Sequence, residues 1–143
     1  MTHSNGSKPY AVRALIVKDE KILFIHHNFR DPAMNDQWTF PGGRLDPHET
    51  DPRVALHREM REELSLEIEI VGKVGVFLSR ANRDYTIFGV RPLSAIGPLQ
   101  TEEIRDLAWL TPAEVFEWHA REKLQFGFEM DAVSAYLKQY PWP

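Results

Sequence analysis

Glu59, Glu62 and Glu63 fall within five positions of HREMREELSL (57–66), with Arg58 and Arg61 between them. At about 100° per residue of an α-helix, Ala55, Arg58, Glu59, Glu62 and Glu63 share one arc of roughly 140°, and Leu56, Met60 and Leu64 form an apolar stripe beside it. A merely solvated helix face would pair each Glu with a Lys or Arg four residues later, worth roughly 0.2–0.5 kcal/mol a pair. This helix has no such pair. Glu59 has like-charge neighbours at Glu62 and Glu63, and only Arg58–Glu62 is favourable, in the weaker orientation. Carboxylates gathered in this way suit a hard divalent cation such as Mg²⁺, which turns their repulsion into coordination.

The elements that must carry these residues are also legible. Thr50-Asp51-Pro52 starts a helix, with Asp51 as cap and Pro52 at the first helical position, and the spacing predicts a helix over 52–64. YAVRALIV (10–17) and KILFIHHN (21–28) are β-rich runs joined at Lys18-Asp19-Glu20, the pattern of a hairpin. WTF (38–40) runs into Pro41-Gly42-Gly43. Strands are expected over 70–79 and 84–95 around a turn at Arg80 to Arg83, and a short one over 106–110. Thr111-Pro112-Ala113-Glu114 is a capping box that opens a second helix, and a last helix is expected over 128–139. Strands on both sides of single helices imply one α/β domain over 10–143, built on a mixed sheet, behind a loose tail over 1–9.

Gly42 to Leu66, GGRLDPHETDPRVALHREMREELSL, resembles the Nudix box, the loop–helix–loop signature of the Nudix hydrolase family. Gly43, Glu49, Arg58-Glu59, Met60, Glu62-Glu63 and Leu66 fill its pattern, and WTFPGG resembles the usual lead-in. The resemblance implies the Nudix fold, a mixed β-sheet sandwiched between α-helices, and hydrolysis of a nucleoside diphosphate linked to another group. It implies that Glu59, Glu62 and Glu63 hold Mg²⁺, for which Mn²⁺ substitutes, together with the Gly42 carbonyl. Arg58 would orient the carboxylates, and Glu59 or the loop acid Glu103 would help deprotonate the attacking water.

Two departures stand out. Eight residues rather than seven separate Glu49 from Arg58, which puts the contact between Glu49 and the helix in question. Ser65 stands where the family has Gly, at a turn that calls for positive φ. Because Leu64 and Leu66 keep the apolar positions on either side, Ser65 is expected to take that conformation.

Arg30, Arg44 and Arg83, all in predicted loops, are candidates for phosphate, with Arg80 beside them. Phe29, Tyr85, Phe88, Phe126 and Phe128 are candidates to stack on a base. His26 and His27, adjacent on a strand, face opposite ways and do not share a metal. Trp38 and Trp109 read as packing residues.

The net charge of −4 over 143 residues argues against a polymeric nucleic acid, so the expected partner is a small nucleotide. The absence of cysteine removes disulfides, thiolate metal sites and the cysteine chemistry of the related isopentenyl-diphosphate isomerases. No apolar run approaches a membrane span and MTHSNGSKPY has no signal-peptide core, so no membrane is expected and the cytoplasm is the expected compartment. A homodimer stays open. A non-catalytic Nudix-like sensor is the alternative, and such domains typically lose the carboxylates that are kept here. Neither the downstream proline of ADP-ribose hydrolases nor the NADH-type array is present, and Tyr85 is near, but out of register with, the tyrosine of diadenosine-polyphosphate hydrolases. Triphosphates and nucleotide-sugars both remain open.

Overall fold

The run YAVRALIV is apolar at nearly every position because the strand it forms is covered on both sides. In the computed structural model, which describes residues 8–27, 37–99 and 102–141, β1 spans Ala11–Lys18 and β2 Lys21–His27. Asp19 (φ 52°) and Glu20 (φ 59°) join them as a two-residue left-handed turn, whose twist matches that of the flanking strands. The remaining elements are β3 (Trp38–Thr39), β4 (Gly42–Arg44), α1 (Pro52–Leu64), β5 (Ile68–Leu78), β6 (Asp84–Pro92), β7 (Ile104–Leu110), α2 (Pro112–Ala120) and α3 (Glu129–Gln139).

The strands form one mixed sheet in the order β3-β2-β1-β6-β5, with β4 on β1 and β7 on β2. β1 and β6 are parallel, and the other pairings are antiparallel. β1 is shared along its length: residues 11–13 pair with β4, whereas 17–18 pair with β2. This division brings Gly42 to Arg44 to the side of the central strand.

Side chains of β1 alternate between two cores. Val12, Ala14 and Ile16 pack with Leu56, Met60 and Leu64 of α1. Ala11 and Leu15 pack on the opposite side with Phe24, Phe40 and Ile87, under Val115 of α2 and Val133 and Tyr136 of α3. Each fully buried α1 side chain contributes about 1.5–3 kcal/mol, enough to lock the rotation of the helix and hence the direction of its acidic face.

The sheet between helices is the expected fold. β5 and β7 each start two residues before the predicted strands, and β6 ends at Pro92, three residues early, where Pro supplies no donor to the ladder. β5 is further bulged at Ile70/Gly72 and at Lys73/Gly75. No helix among the described residues is long and apolar enough to cross a membrane.

Candidate active site

α1 begins as its sequence requires. The Asp51 side chain accepts the Arg53 amide at 2.9 Å, and Pro52 occupies the first turn, where no donor is missed. It ends at Ser65, whose φ of 50° and ψ of 44° put it in the left-handed region, with its amide donating to the Arg61 carbonyl at 3.1 Å. The Ser65 hydroxyl donates to the Pro98 carbonyl at 2.9 Å, fastening the turn to the loop after β6.

Between these ends the three glutamates have unequal surroundings. Glu62 is half exposed, Glu59 mostly covered, and Glu63 buried at 3% exposure. Glu63 therefore belongs with the buried residues of the helix and not with a solvated face. Its Oε1 accepts the Gly42 amide at 2.9 Å, and its Oε2 lies 3.6 Å from His27 Nε2. Glu59 lies against Gly43: a Cβ there would come within 2.7–2.8 Å of the carboxylate atoms, so any other residue would push the carboxylate aside. Gly42 is more tightly constrained, since at φ 146° a Cβ would overlap the Val12 backbone carbonyl.

Arg58 ties these groups together. Its Nε and Nη2 clasp both oxygens of Glu49 at 2.9 and 2.7 Å, and its Nη1 donates to Glu62 at 2.6 Å and to Glu59 at 3.2 Å. Nη2 also reaches the Arg44 carbonyl at 3.3 Å. The extra residue between Glu49 and Arg58 thus leaves a bidentate fork intact. Glu49 also accepts the Asp46 amide. The Arg58 hydrogen bond, more than any other influence, lowers the pKa of Glu49 to about 2.

Glu59 moves the other way. Burial first, and then the negative charges of Glu63 and Glu62, push its pKa up to about 7 against the opposing pull of Arg58. Among the described residues no three acidic or imidazole side chains stand in a ready-made metal-binding arrangement. Glu62 is turned to Arg58 and Glu63 to Gly42. The donor set itself is hard oxygen with mutual repulsion, the chemistry that fits Mg²⁺ or Mn²⁺.

The other sequence candidates divide. Glu103 is exposed in the turn before β7. It adjoins Ile104, the cross-strand partner of His27, which in turn faces Glu63. Arg30 and Phe29 lie outside the described residues. Arg44 leaves β4 on the side away from α1, with its guanidinium 4.8 Å from the centre of the Tyr10 ring and that of Arg83 5.1 Å from the same ring. Tyr85, only 5% exposed, packs on Phe126 at 4.6 Å, Phe128 at 5.2 Å and Tyr10 at 5.7 Å, and burial raises its phenol pKa. Phe88 is separated from this group, in the α1-side core under the guanidinium of Arg53. Arg80 serves the backbone, donating to the Leu124 and Gln125 carbonyls. Trp38 packs on Trp118 and His26, as expected of a packing residue.

Sequence reasoning missed two residues. His27 does face away from buried His26, but its neighbour Glu63 comes from a helix far along the chain. Arg13 sits beside Tyr85 and Phe126. A cation inside the run YAVRALIV was the available signal.

The profile of the NUDIX domain matches residues 7–129. The chain is 33% identical over 115 residues to the CTP pyrophosphohydrolase of Escherichia coli K12, covering 75% of this chain and 78% of that protein. It is 32% identical over 112 residues to a putative 8-oxo-dGTP diphosphatase 2 of Mycobacterium tuberculosis, covering 74% and 75%. Its fold superposes on a NUDIX hydrolase from Nitrosomonas europaea with a TM-score of 0.76 at 22% identity, over 95% of this chain and 93% of the other.

Proposed function

The chain belongs to the Nudix hydrolase family, and on that premise we propose that it is a Mg²⁺-dependent pyrophosphohydrolase in which water cleaves a nucleoside triphosphate to the nucleoside monophosphate and inorganic diphosphate. The observation that carries this reading is the crowding of Glu59, Glu62 and Glu63 around Arg58, with the pKa of Glu59 raised to about 7 first by burial and then by its acidic neighbours. The choice of triphosphates over nucleotide-sugars is supported by the activities in the names of the two relatives.

Glu59, Glu62 and Glu63, with the Gly42 carbonyl, are the residues that would hold the cation. When bound, it neutralises phosphate oxygens and lowers the pKa of a coordinated water. Arg58 holds Glu59 and Glu62 in place from within the helix while Glu49 fixes Arg58 from outside it. Glu59 or Glu103 takes the proton of the attacking water. On the other side of β4, Arg44 meets the phosphate chain, with Arg30 assigned the same role, and the Tyr85 cluster meets the base.

The test is a screen of nucleoside triphosphates, dinucleoside polyphosphates and nucleotide-sugars with Mg²⁺ or Mn²⁺, identifying the products. A triphosphate should give the nucleoside monophosphate and inorganic diphosphate. EDTA should abolish turnover and excess Mg²⁺ restore it. Undiminished hydrolysis in EDTA would remove the metal from the proposal, and exclusive cleavage of nucleotide-sugars would remove the triphosphate.

A further inference from the structure

Arg13 is a buried cation that the rest of the protein barely uses. It lies in the middle of β1 at 7% exposure, where a charge is costly unless paired. Of five guanidinium donors, one is engaged among the described residues: Nη1 donates to the Phe40 carbonyl at 2.9 Å. Nε is buried without a partner, and among the described residues no carboxylate forms an ion pair with this side chain. The nearest compensation is aromatic. The guanidinium carbon lies 5.0 Å from the centre of the Phe126 ring and 5.8 Å from that of Tyr85.

Packing alone gives no reason for an arginine here. A methionine would fill a comparable volume among Tyr85, Phe126 and Phe40 without a charge to desolvate. The surroundings are also firmly held. Glu129, fully buried, accepts the amides of Phe126 and Gly127 at 3.0 and 2.9 Å, and Arg80 binds the carbonyls just before them. The aromatic wall beside Arg13 is thus fixed from two directions.

Phosphate is the less fitting ligand for this cation. Arg13 is buried, while Arg44 and Arg83, on the same side of the sheet, are exposed and open to a solvated anion. A flat ring set against Tyr85 and Phe126 would instead bring an uncharged acceptor to unused N–H groups in a mostly apolar surrounding, where such a bond is worth most.

Resting on the reading of this chain as a nucleotide hydrolase, we propose that Arg13 is a specificity-determining residue that donates hydrogen bonds to a ring carbonyl of the nucleobase, selecting cytosine, uracil and guanine over adenine, which has no carbonyl.

The experiment measures metal-free equilibrium binding of CMP, UMP, GMP and AMP to the wild-type chain, Arg13→Met and Arg13→Lys, with a thermal melt of each. A hydrogen bond to a charged donor corresponds to roughly 10–100-fold in affinity. Wild type should bind at least one carbonyl base about tenfold or more tighter than AMP. Arg13→Met should lose that preference with AMP affinity nearly unchanged, and Arg13→Lys should keep part of it. Equal losses for all four nucleotides would make Arg13 a phosphate contact, and unchanged ratios would make it structural; either overturns the proposal. If Arg13→Met does not fold, the Lys variant reads the ratio, and wild type binding AMP as tightly as the others sinks the idea without any variant. Because no metal and no turnover are involved, the result is independent of whether triphosphates prove to be hydrolysed.

Discussion

Gly43 and Arg44 are neighbours on β4, yet they serve opposite faces of the molecule. Gly43 makes room for the Glu59 carboxylate on the α1 side, whereas Arg44 projects over Tyr10 on the other. The α1 side is acidic, built from one helix and the loop before it, and its charges are tied to each other through Arg58. The opposite side is cationic and aromatic. Arg13, Arg44, Arg83, Tyr10, Tyr85 and Phe126 come from several separate segments and touch each other mostly through rings. Acids that repel one another suit the cation proposed for them. Arginines without a carboxylate partner among the described residues, set on aromatic rings, suit an anion and a flat apolar ring. We infer a division of labour, with reaction on one face, recognition on the other and β4 as the seam.

The largest expected effect tests the acidic face. Glu62→Gln and Glu63→Gln each remove a charge with little change of shape, and each should lower kcat by about 10²-fold or more, since the proposed metal-assisted hydrolysis would draw several kcal/mol from this cluster. Folding should survive both. Glu62 is half exposed, and glutamine at 63 retains an oxygen for the Gly42 amide. Steady-state kinetics in saturating Mg²⁺ decide the matter; near-wild-type kcat in both variants would make the acidic face ordinary surface.

A second prediction concerns pH. In the folded protein Glu59 keeps its proton until about pH 7, whereas the unfolded chain releases it near 4.5. Between those values the native state binds more protons, so stability falls as pH rises from about 4.5 to 7 and levels off above. The span corresponds to about 2–3 kcal/mol after allowing for residual solvent contact. Glu49, with its pKa lowered to about 2, contributes stability that is already complete above 4.5 and lost only in acid, so it adds no slope here. Denaturant melts in EDTA at pH 5 and pH 8 should show that loss in wild type relative to Glu59→Gln, and Mg²⁺ should flatten it. Identical slopes in the two proteins would deny Glu59 its raised pKa.

The two faces also differed in how far they could be read in advance. The acidic helix was legible because its information is local: Asp51, Pro52, the apolar stripe and the carboxylate spacing lie within one element. The flanking strands and the hairpin at Asp19-Glu20 were legible for the same reason. Glu63 was read as part of an open strip because its burial depends on Gly42, which arrives through the pairing of β4 with β1. The bulges of β5 depend on its register with β6 and leave no periodic trace in the strand itself. Arg13 and Tyr10 were invisible as a pair because Tyr85 joins them only after β1 and β6 align in parallel.

On the cationic face, smaller effects of a different kind are expected. Arg44→Ala and Arg83→Ala should each raise KM for a nucleoside triphosphate several-fold while leaving kcat within about twofold, and the rise should shrink in high salt. Stability should change by no more than about 1 kcal/mol, the worth of an exposed cation–π contact with Tyr10. Losses of kcat matching those of Glu62→Gln would erase the division between the faces.

The smallest effect belongs to Ser65, which ends the acidic helix and touches neither function. Its φ of 50° is the conformation expected of it, and glycine there should relieve about 1 kcal/mol of strain. The side chain offsets part of that gain, because its hydroxyl donates to the exposed Pro98 carbonyl, a bond of about 0.5–1 kcal/mol. Glycine also enlarges the entropy of the unfolded chain. Ser65→Gly should therefore stabilise by no more than about 0.5 kcal/mol, while Ser65→Ala, which keeps the strain and loses the bond, should destabilise by a similar amount. The gap between the two variants, about 1 kcal/mol, isolates the left-handed conformation from the hydrogen bond. Denaturant midpoints at unchanged slope measure it, and glycine melting below alanine would refute strain at this turn. Both should leave kcat and KM as they are, since the carboxylates precede the turn and the cations lie across the sheet from it.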